Sequence, residues 1–459
     1  MACAVVLAVW LRRPVGSILI AFTNVTVIDG TGNQPLSGAT VLIDKDRIAA
    51  ISTANVGLPE KAVIVDGSGK FLIPGLWDMH VHVQHDPDIF YPLFIANGVT
   101  GVRDMGGPLD KLKKWRSQIR EGGRIGPRIV LAGPFLDGPN SPWPYTVIVT
   151  SSDEAKSIVM GLKASGVDFI KVQSWLPREA YFAIARESAK DGIPFVGHVP
   201  DSVSVTEAAE AGQKSIEHMT GILVACSSEE AKLREIAVNH ARGVAAQVDK
   251  QAIESYDREK AALLFQLLAR RQVWQAPTLV IWKARASAED VHLLEDNRLG
   301  YVPRSLFKAW DDTKSGKVRG LSHEHAMIAG QVFNKLSQLI GEMKEAHVNF
   351  LAGTDTPFPF CIPGFSLHEE LALLVHSGLT PMQAIQAATS NPAKFLGVES
   401  SLGTIEKGKV ADLVLLRANP LASIENISQI EAVVANGQYY PKYELDRMLQ
   451  RAQALAESR

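Results

Sequence analysis

Between Phe71 and about Leu396, short apolar runs alternate with helix-like stretches eight times over. The runs are Leu76–Val83, Val99–Arg103, Arg128–Ala132, Phe169–Val172, Phe195–His198, Ser215–His218, Val273–Leu279 and Phe350–Asp355. Helical spacing fills the intervals, as in Ser152–Ser165, Arg178–Lys190 and Thr206–Ala211. Short, largely apolar runs suit parallel strands buried on both faces. Eight strand–helix units in succession predict an α/β fold, a (β/α)8 TIM barrel over residues 71–395. Length alone suggests about three domains; the repeat assigns most of the chain to one.

The flanks have another rhythm. Phe22–Asp29, Ala39–Asp44, Arg47–Ser52 and Ala62–Asp66 read as short strands between turns. Strand patterns return at Ala411–Leu416 and Ile430–Ala435, followed by Asn436-Gly437, a strong hairpin signal. Residues 22–70 and 396–441 are therefore expected to build one small β-sandwich from both chain ends, with a C-terminal helix over 442–459. Residues 1–21 read as an N-terminal extension or a signal remnant, because apolar Ala4–Leu11 precedes Arg12-Arg13, the reverse of a secretory signal. The long intervals Ser227–Arg270 and Ile281–Asn349 follow the sixth and seventh runs, on the face where barrel active sites lie. They are candidate lids or pocket walls.

Charge and cysteine content narrow the partners. With 47 basic against 49 acidic residues and no basic block, nucleic acid is not expected as a partner. No run reaches the roughly 18 apolar residues of a membrane span. Three cysteines, Cys3, Cys226 and Cys361, do not make a disulfide framework. They favour a cytoplasmic location, with periplasm or secretion left open.

The chemistry starts at Asp78-Met-His80-Val-His82 on the first run. Strand side chains alternate, so His80 and His82 point the same way, about 7 Å apart along the strand. The pair is either a hydrogen-bonded couple or half of a metal site. Other run ends carry ligand types too: Phe195-Val-Gly-His198, Ser215-Ile-Glu-His218 and Ala352-Gly-Thr-Asp355. Catalytic residues of barrels collect at such ends, and imidazole with carboxylate suits zinc and similar ions. Lys171 lies inside the apolar run Phe169–Val172. It either reaches solvent or pairs with Asp168, or its desolvated amine reacts with carbon dioxide to give an anionic carbamate.

This set resembles the binuclear metal-dependent amidohydrolase superfamily over about residues 22–440, in its imidazolonepropionase-like and prolidase-like branch. The resemblance extends to Gly67–His82, Gly98-Val-Thr-Gly-Val-Arg-Asp-Met-Gly106, Ala387-Ala-Thr-Ser-Asn-Pro392 and Gly408–Leu415. It implies that His80, His82 and Asp355 bind one divalent ion and that His198 and His218 bind a second. Carboxylated Lys171 and a hydroxide would bridge the two, with zinc as the default metal. It further implies hydrolysis of an amide or peptide-like C–N bond, in a dipeptide or N-acyl compound, with Asp355 as the proton-transferring catalytic residue. A lactonase or esterase could use the same site, and a non-catalytic scaffold would be expected to have lost ligands that this chain keeps. Homo-oligomers occur in the superfamily, though no motif here addresses them.

Two departures from the pattern stand out. His198-Val-Pro-Asp201 replaces the His-x-x-Glu of mononuclear deaminases, and Ala132–Gly138 lacks the Gly-Gly-His of dipeptide-cleaving relatives. Tyr145, Trp175, Arg178, Trp282 and Phe358 follow predicted strands and are candidate contacts for a small-molecule substrate, with Arg178 nominated to hold a carboxylate. His323-Glu-His325 reads as helical, where residues two apart diverge, and so as surface rather than metal site.

Overall fold

The flanking sheet is assembled on β1 (Leu19–Val27), whose apolar Ile20, Phe22, Val25 and Val27 are buried. The computed structural model describes residues 19–54, 57–83, 85–139, 141–240, 244–310 and 322–459. The expected extension therefore lies outside the described residues as far as residue 18, and its last three residues belong to β1. One edge of β1 pairs antiparallel with β2 (Leu36–Asp44), which pairs with β3 (Arg47–Ser52). The other edge is shared in parallel by β4 (Val63–Asp66), along Ile20–Thr23, and β5 (Phe71–Pro74), at Thr26–Val27.

The chain then turns to parallel pairing throughout. β6 (Leu76–Val81), β7 (Val99–Asp104) and β8 (Arg128–Leu131) form one sheet in chain order. A second sheet contains β9 (Phe135–Asp137), β10 (Thr146–Ile148), β11 (Ile170–Val172), β12 (Phe195–Gly197), β13 (Ser215–Glu217) and β14 (Trp274–Ala276). Its order is β10-β9-β11-β12-β13-β14. β9 and β10 were not expected; at three residues each they are too short to show a period.

Hydrogen bonds connect the two sheets. The Asp168 amide donates to the Leu131 carbonyl at 2.9 Å, joining β8 to the approach to β11. On the other side, residues 349–356 lie between β14 and β6, with parallel bridges Gln275–Phe350 and Val81–Thr356. This arrangement is compatible with the expected barrel. The eighth run, Phe350–Asp355, does not form a continuous strand. The Thr354 and Asp355 amides both donate to the His80 carbonyl, at 3.3 and 2.7 Å, and Asp355 turns to φ 58°. The ladder therefore breaks where the chemistry begins.

The expected helices appear within a few residues of their predicted ends, among them Ser152–Ala164, Arg178–Asp191 and Val205–Glu210. Ser204 and Glu207 form a reciprocal cap on the last of these. After β14 the long interval holds Leu279–Ala286 and His323–Glu345. No helix among the described residues is long and apolar enough to cross a membrane.

The chain end returns to the first sheet. β15 (Leu413–Leu416) pairs antiparallel with β5 and with β16 (Ile430–Ala435), which turns through Asn436-Gly437 into β17 (Gln438–Pro441). Both turn residues have positive φ, 53° and 70°, as a two-residue hairpin loop requires. Ile20, Phe22, Val41, Leu413 and Val434 then share one core, so the two chain ends meet in a single mixed sheet.

Close packing between β6 and β7 leaves no room at Gly101: an added Cβ would fall 2.2 Å from the buried Trp77 ring. Gly101→Ala is expected to destabilise the fold by about 1–3 kcal/mol through overpacking. Urea unfolding would check this; an unchanged midpoint would show that Trp77 can move aside.

Candidate metal centre

Asp78, His80 and His82 share one side of β6 and its extension because strand side chains alternate. Their partners fix their orientation. The His80 Nδ1 lies 2.8 Å from Glu217 Oε2, and the His82 Nδ1 lies 3.1 Å from the Gly106 carbonyl. A carbonyl only accepts, and Glu217 is held as a carboxylate: burial opposes its charge, but the Arg103 charge and the hydrogen bond from His80 pull its pKa well below the usual range. In the neutral form of both rings each Nδ1 therefore carries the proton, and each Nε2 presents a lone pair.

Both lone pairs meet the same carboxylate. Asp355 Oδ1 is 3.3 Å from His80 Nε2 and 3.1 Å from His82 Nε2. The ligand atoms of all three residues lie within 4.8 Å of one another. His80 Nε2 is buried and has no hydrogen-bond partner. Lone pairs facing a carboxylate oxygen repel unless a cation lies between them. Separations of 3.1–3.3 Å match two ligands on a tetrahedral ion with bonds of about 2.0–2.1 Å. These residues fit a divalent metal.

The remaining candidates surround this triad. The His218 ring is 4.5 Å from that of His80, and the His198 ring is 5.1 Å from that of His218. His218 Nδ1 meets Thr278 Oγ1 at 2.6 Å; that hydroxyl donates to the Pro277 carbonyl, so His218 must donate to it and keep Nε2 free. His198 Nδ1 meets Ser174 Oγ at 2.7 Å. Burial, then neighbouring charges, pushes both imidazoles well below the usual histidine range, so they stay neutral. Burial also lowers the Lys171 amine to about 8, against the pull of Glu217 and Asp355. Lys171 is 1% exposed. Its aliphatic stem passes Gly197, where φ is 132° and an added Cβ would come within 3.0 Å of the Lys171 Cδ. Asp168, a possible partner for Lys171, binds Arg116 at 2.7 Å instead.

Beneath the site lies a charge pair whose role the sequence does not reveal. Arg103 Nη2 donates to both Glu217 oxygens, at 2.9 and 2.8 Å, while its Nε and Nη1 donate to the Met79 carbonyl and Ser215 Oγ. Both partners are fully buried. Asp78 accepts from Thr354 Oγ1 at 2.6 Å and so braces the turn that presents Asp355. The only sequence signal was an arginine and a glutamate of opposite charge inside two apolar strands.

Among the substrate candidates, Trp282 and Phe358 come together around a cation, but that cation is Arg285, at 5.1 and 5.2 Å from their ring centres. Arg178 is engaged elsewhere: it pairs with Glu207, donates to the Ser202 carbonyl at 3.1 Å and stacks on Phe182. Its nomination to hold a carboxylate is thereby corrected. Tyr145 is exposed, and the Trp175 amide donates to Asp137. His323 and His325 sit on the exposed start of helix His323–Glu345 with separate partners, Glu289 and Ser322. A cavity of about 230 Å³ adjoins His218 and is walled partly by the two long intervals expected to form pocket walls.

Parallel strands whose carboxyl ends gather imidazoles and a carboxylate define an α/β enzyme. The chain belongs to the amidohydrolase family, whose model matches residues 71–439. An ochratoxinase from Aspergillus niger is 24% identical over 472 residues, spanning 92% of this chain and 87% of that protein. Among solved structures, a bottromycin amidohydrolase has a TM-score of 0.75 at 23% identity, covering 95% of this chain and 90% of that one. A Xaa-Pro dipeptidase has a TM-score of 0.66 at 21% identity, covering 93% and 100%. The two structures share the fold with this chain.

Two predictions follow from the buried charges. Glu217→Gln leaves Arg103 without its counter-charge and should destabilise by about 3–5 kcal/mol; denaturant unfolding reads the loss, and a change below about 1 kcal/mol would mean that solvent reaches the pair. Glu370 accepts the Val280 amide at 3.0 Å, and burial pushes its carboxyl up to about 8. In the unfolded chain it titrates near 4.3, so between those values the folded state binds more protons and stability falls as pH rises. In Glu370→Gln, the fall in melting temperature between about pH 5 and pH 8.5 should shrink; equal falls would place the titration elsewhere.

Proposed function

We propose that the protein is a metal-dependent hydrolase that cleaves an amide or peptide-like C–N bond, in a dipeptide or N-acyl compound, at two divalent ions, zinc by default. The observation that carries this reading is the buried convergence of the His80 and His82 lone pairs on Asp355. In this reading the two parallel sheets and residues 349–356 close one (β/α)8 barrel over 71–395. Residues 22–70 and 396–441 form the composite β-sandwich beside it. His80, His82 and Asp355 would hold one ion and His198 and His218 the other, with Lys171, as a carbamate, supplying a further anionic ligand. The neutral Lys171 amine attacks carbon dioxide: an N–C bond forms, one C=O π bond opens to give the carboxylate, and the nitrogen passes one proton to water. Its lowered pKa supports that step by supplying neutral amine near physiological pH.

When bound, the ions lower the pKa of a water molecule and polarise the substrate carbonyl. The chain supplies the rest. Asp355 takes a proton from the attacking water as its oxygen bonds to the carbonyl carbon. The C–N bond then breaks, and Asp355 returns the proton to the leaving nitrogen. Glu217, held by Arg103, keeps the His80 ring in the ligating tautomer. The amidohydrolase family match and the likeness to a Xaa-Pro dipeptidase support a C–N bond as the target. Lactone hydrolysis would use the same attack, with an alkoxide in place of the amine.

A panel of N-acyl amino acids, dipeptides and lactones separates these outcomes. The chain purified with bicarbonate should hold about two divalent ions and lose turnover on chelation. Asp355→Asn should lower kcat by roughly 10²–10⁴-fold. Near-normal turnover of that variant, with metal content unchanged, would refute the role of Asp355.

A further inference from the structure

Lys171 faces the metal centre, where the charges of Glu217 and Asp355 act on it. The ladder runs one residue beyond β11: the Gln173 amide donates to the Leu136 carbonyl, and the His198 amide to the Val172 carbonyl, both at 3.0 Å. Side chains alternate along it, so Gln173 faces the same way as Lys171, about 7 Å nearer the mouth. The register of Val172 with Leu136 and Gly197 sets Gln173 level with Asp137 on one side and His198 on the other. Gln173 is 4% exposed, and its Oε1 is buried without a hydrogen-bond partner. Its side-chain nitrogen is bonded to no described residue either. Asp137 Oδ1 instead accepts from the Gly138 and Trp175 amides, both at 2.9 Å. Gln213, similarly buried, has the bonds such a group ordinarily makes: its Oε1 accepts from the Tyr181 hydroxyl at 2.7 Å, and its Nε2 donates to the Gly197 and Ser215 carbonyls, both at 3.0 Å. Gln275 is also unmet, but it alternates with Trp274 and Ala276, which share a core with Phe169 and Val196, and so faces away from the centre.

An acceptor left unmet in a dry site costs free energy until a ligand meets it. Its position says which group of a ligand that is. Phe169–Val172 is the fourth apolar run and Phe350–Asp355 the eighth; in the closed barrel proposed above, these two stand across the mouth from each other. Gln173 and Asp355 therefore flank a substrate held at the centre from opposite sides. For Asp355 to return a proton to the leaving nitrogen, that nitrogen must turn its lone pair toward Asp355. The N–H of a secondary amide then points to the other side, where the Gln173 side chain lies. An ester or lactone has oxygen lone pairs there, which an acceptor repels, and a proline nitrogen has no hydrogen to offer.

We propose that the Gln173 side-chain carbonyl accepts a hydrogen bond from the N–H of the scissile amide, and so selects secondary amides over esters, lactones and Xaa-Pro peptides. This deepens the hydrolase reading above, on which it rests. A site built to bond an N–H discriminates strongly against analogues that lack it, because its own acceptor is then left unmet. Direct ligation of an ion is the competing use of the same oxygen, although neutral carbonyl oxygens suit harder cations than the imidazoles around it. Loss of metal on substitution identifies that use.

The test compares two tetrahedral probes of one shape, N-(methylphosphonyl)-L-phenylalanine and the phosphonate ester in which oxygen replaces its N–H. Calorimetry on the zinc-loaded full chain reads both affinities. The P–NH probe should bind about tenfold or more tighter than the P–O probe. Gln173→Met should bring the two within about threefold of each other, with zinc content unchanged. Unfolding curves establish that the variant is folded, and Gln173→Leu replaces it if it is not. Equal binding of the two probes by the wild-type chain, absence of binding by both, loss of zinc in the folded variant, or an equal fall in both affinities there would each overturn the proposal. Hydrolysis of N-acetyl-L-phenylalanine and O-acetyl-L-phenyllactate, measured alongside, separates the two readings. Cleavage of the amide without a P–NH preference defeats the acceptor role alone, whereas a P–NH preference with no amide cleavage across the panel defeats the hydrolase reading alone.

Discussion

The ion pair of Arg103 with Glu217 is the interaction on which the rest of the centre depends. It joins β7 to β13, strands of different sheets, and through the Met79 carbonyl and the His80 ring it also reaches β6. Removing two charges from water costs several kcal/mol per ion, and only good geometry with further hydrogen bonds offsets it. Here the guanidinium donates to a backbone carbonyl, a hydroxyl and both carboxylate oxygens, and the carboxylate also receives the imidazole proton. Glu217 therefore has two tasks. It neutralises a buried cation, and it decides which nitrogen of His80 faces the centre.

Four residues in the left-handed region lie at the same level of the structure. His218, Met219, Thr278 and Asp355 all have φ between 49° and 58°. Such angles are uncommon for residues other than glycine and unusual for a β-branched threonine. His218, Met219 and Thr278 follow strand ends and Asp355 closes the eighth run, and Thr278 Oγ1 also accepts the His218 hydrogen bond. Strain of this kind persists where surrounding contacts over-determine the backbone. Here the contacts are those that aim the imidazoles and Asp355 at one another.

Much of this was legible in the sequence because it depends on short-range period. The parallel strands and most helices announce themselves by apolar spacing, and most of the candidate ligands stand at run ends. What escaped notice depends on distant partners. Arg103 and Glu217 lie more than a hundred residues apart, and nothing near either one marks it as half of a pair. Arg178 was an attractive cation because it follows a strand; only its contact with Glu207 shows that it is engaged. Arg285 lies inside a long interval without a readable pattern, so its place between two aromatic rings was not visible. The eighth run looked like a strand by composition, but its amides turn to the His80 carbonyl, a contact that no local pattern encodes.

The union of both chain ends in one sheet bears on how the molecule is made. β5 pairs with β1 on one side but waits with its other edge unpaired until β15 emerges, because that edge meets Leu413–Leu416. During synthesis the first five strands, with the apolar faces of Ile20, Phe22 and Val41, precede the residues that cover them by most of the chain. An exposed strand edge in a growing chain is a template for pairing with a neighbour. The nascent protein would therefore be most vulnerable to association between ribosomes on one message, and a chaperone that shields this edge would matter more to yield than one acting after release.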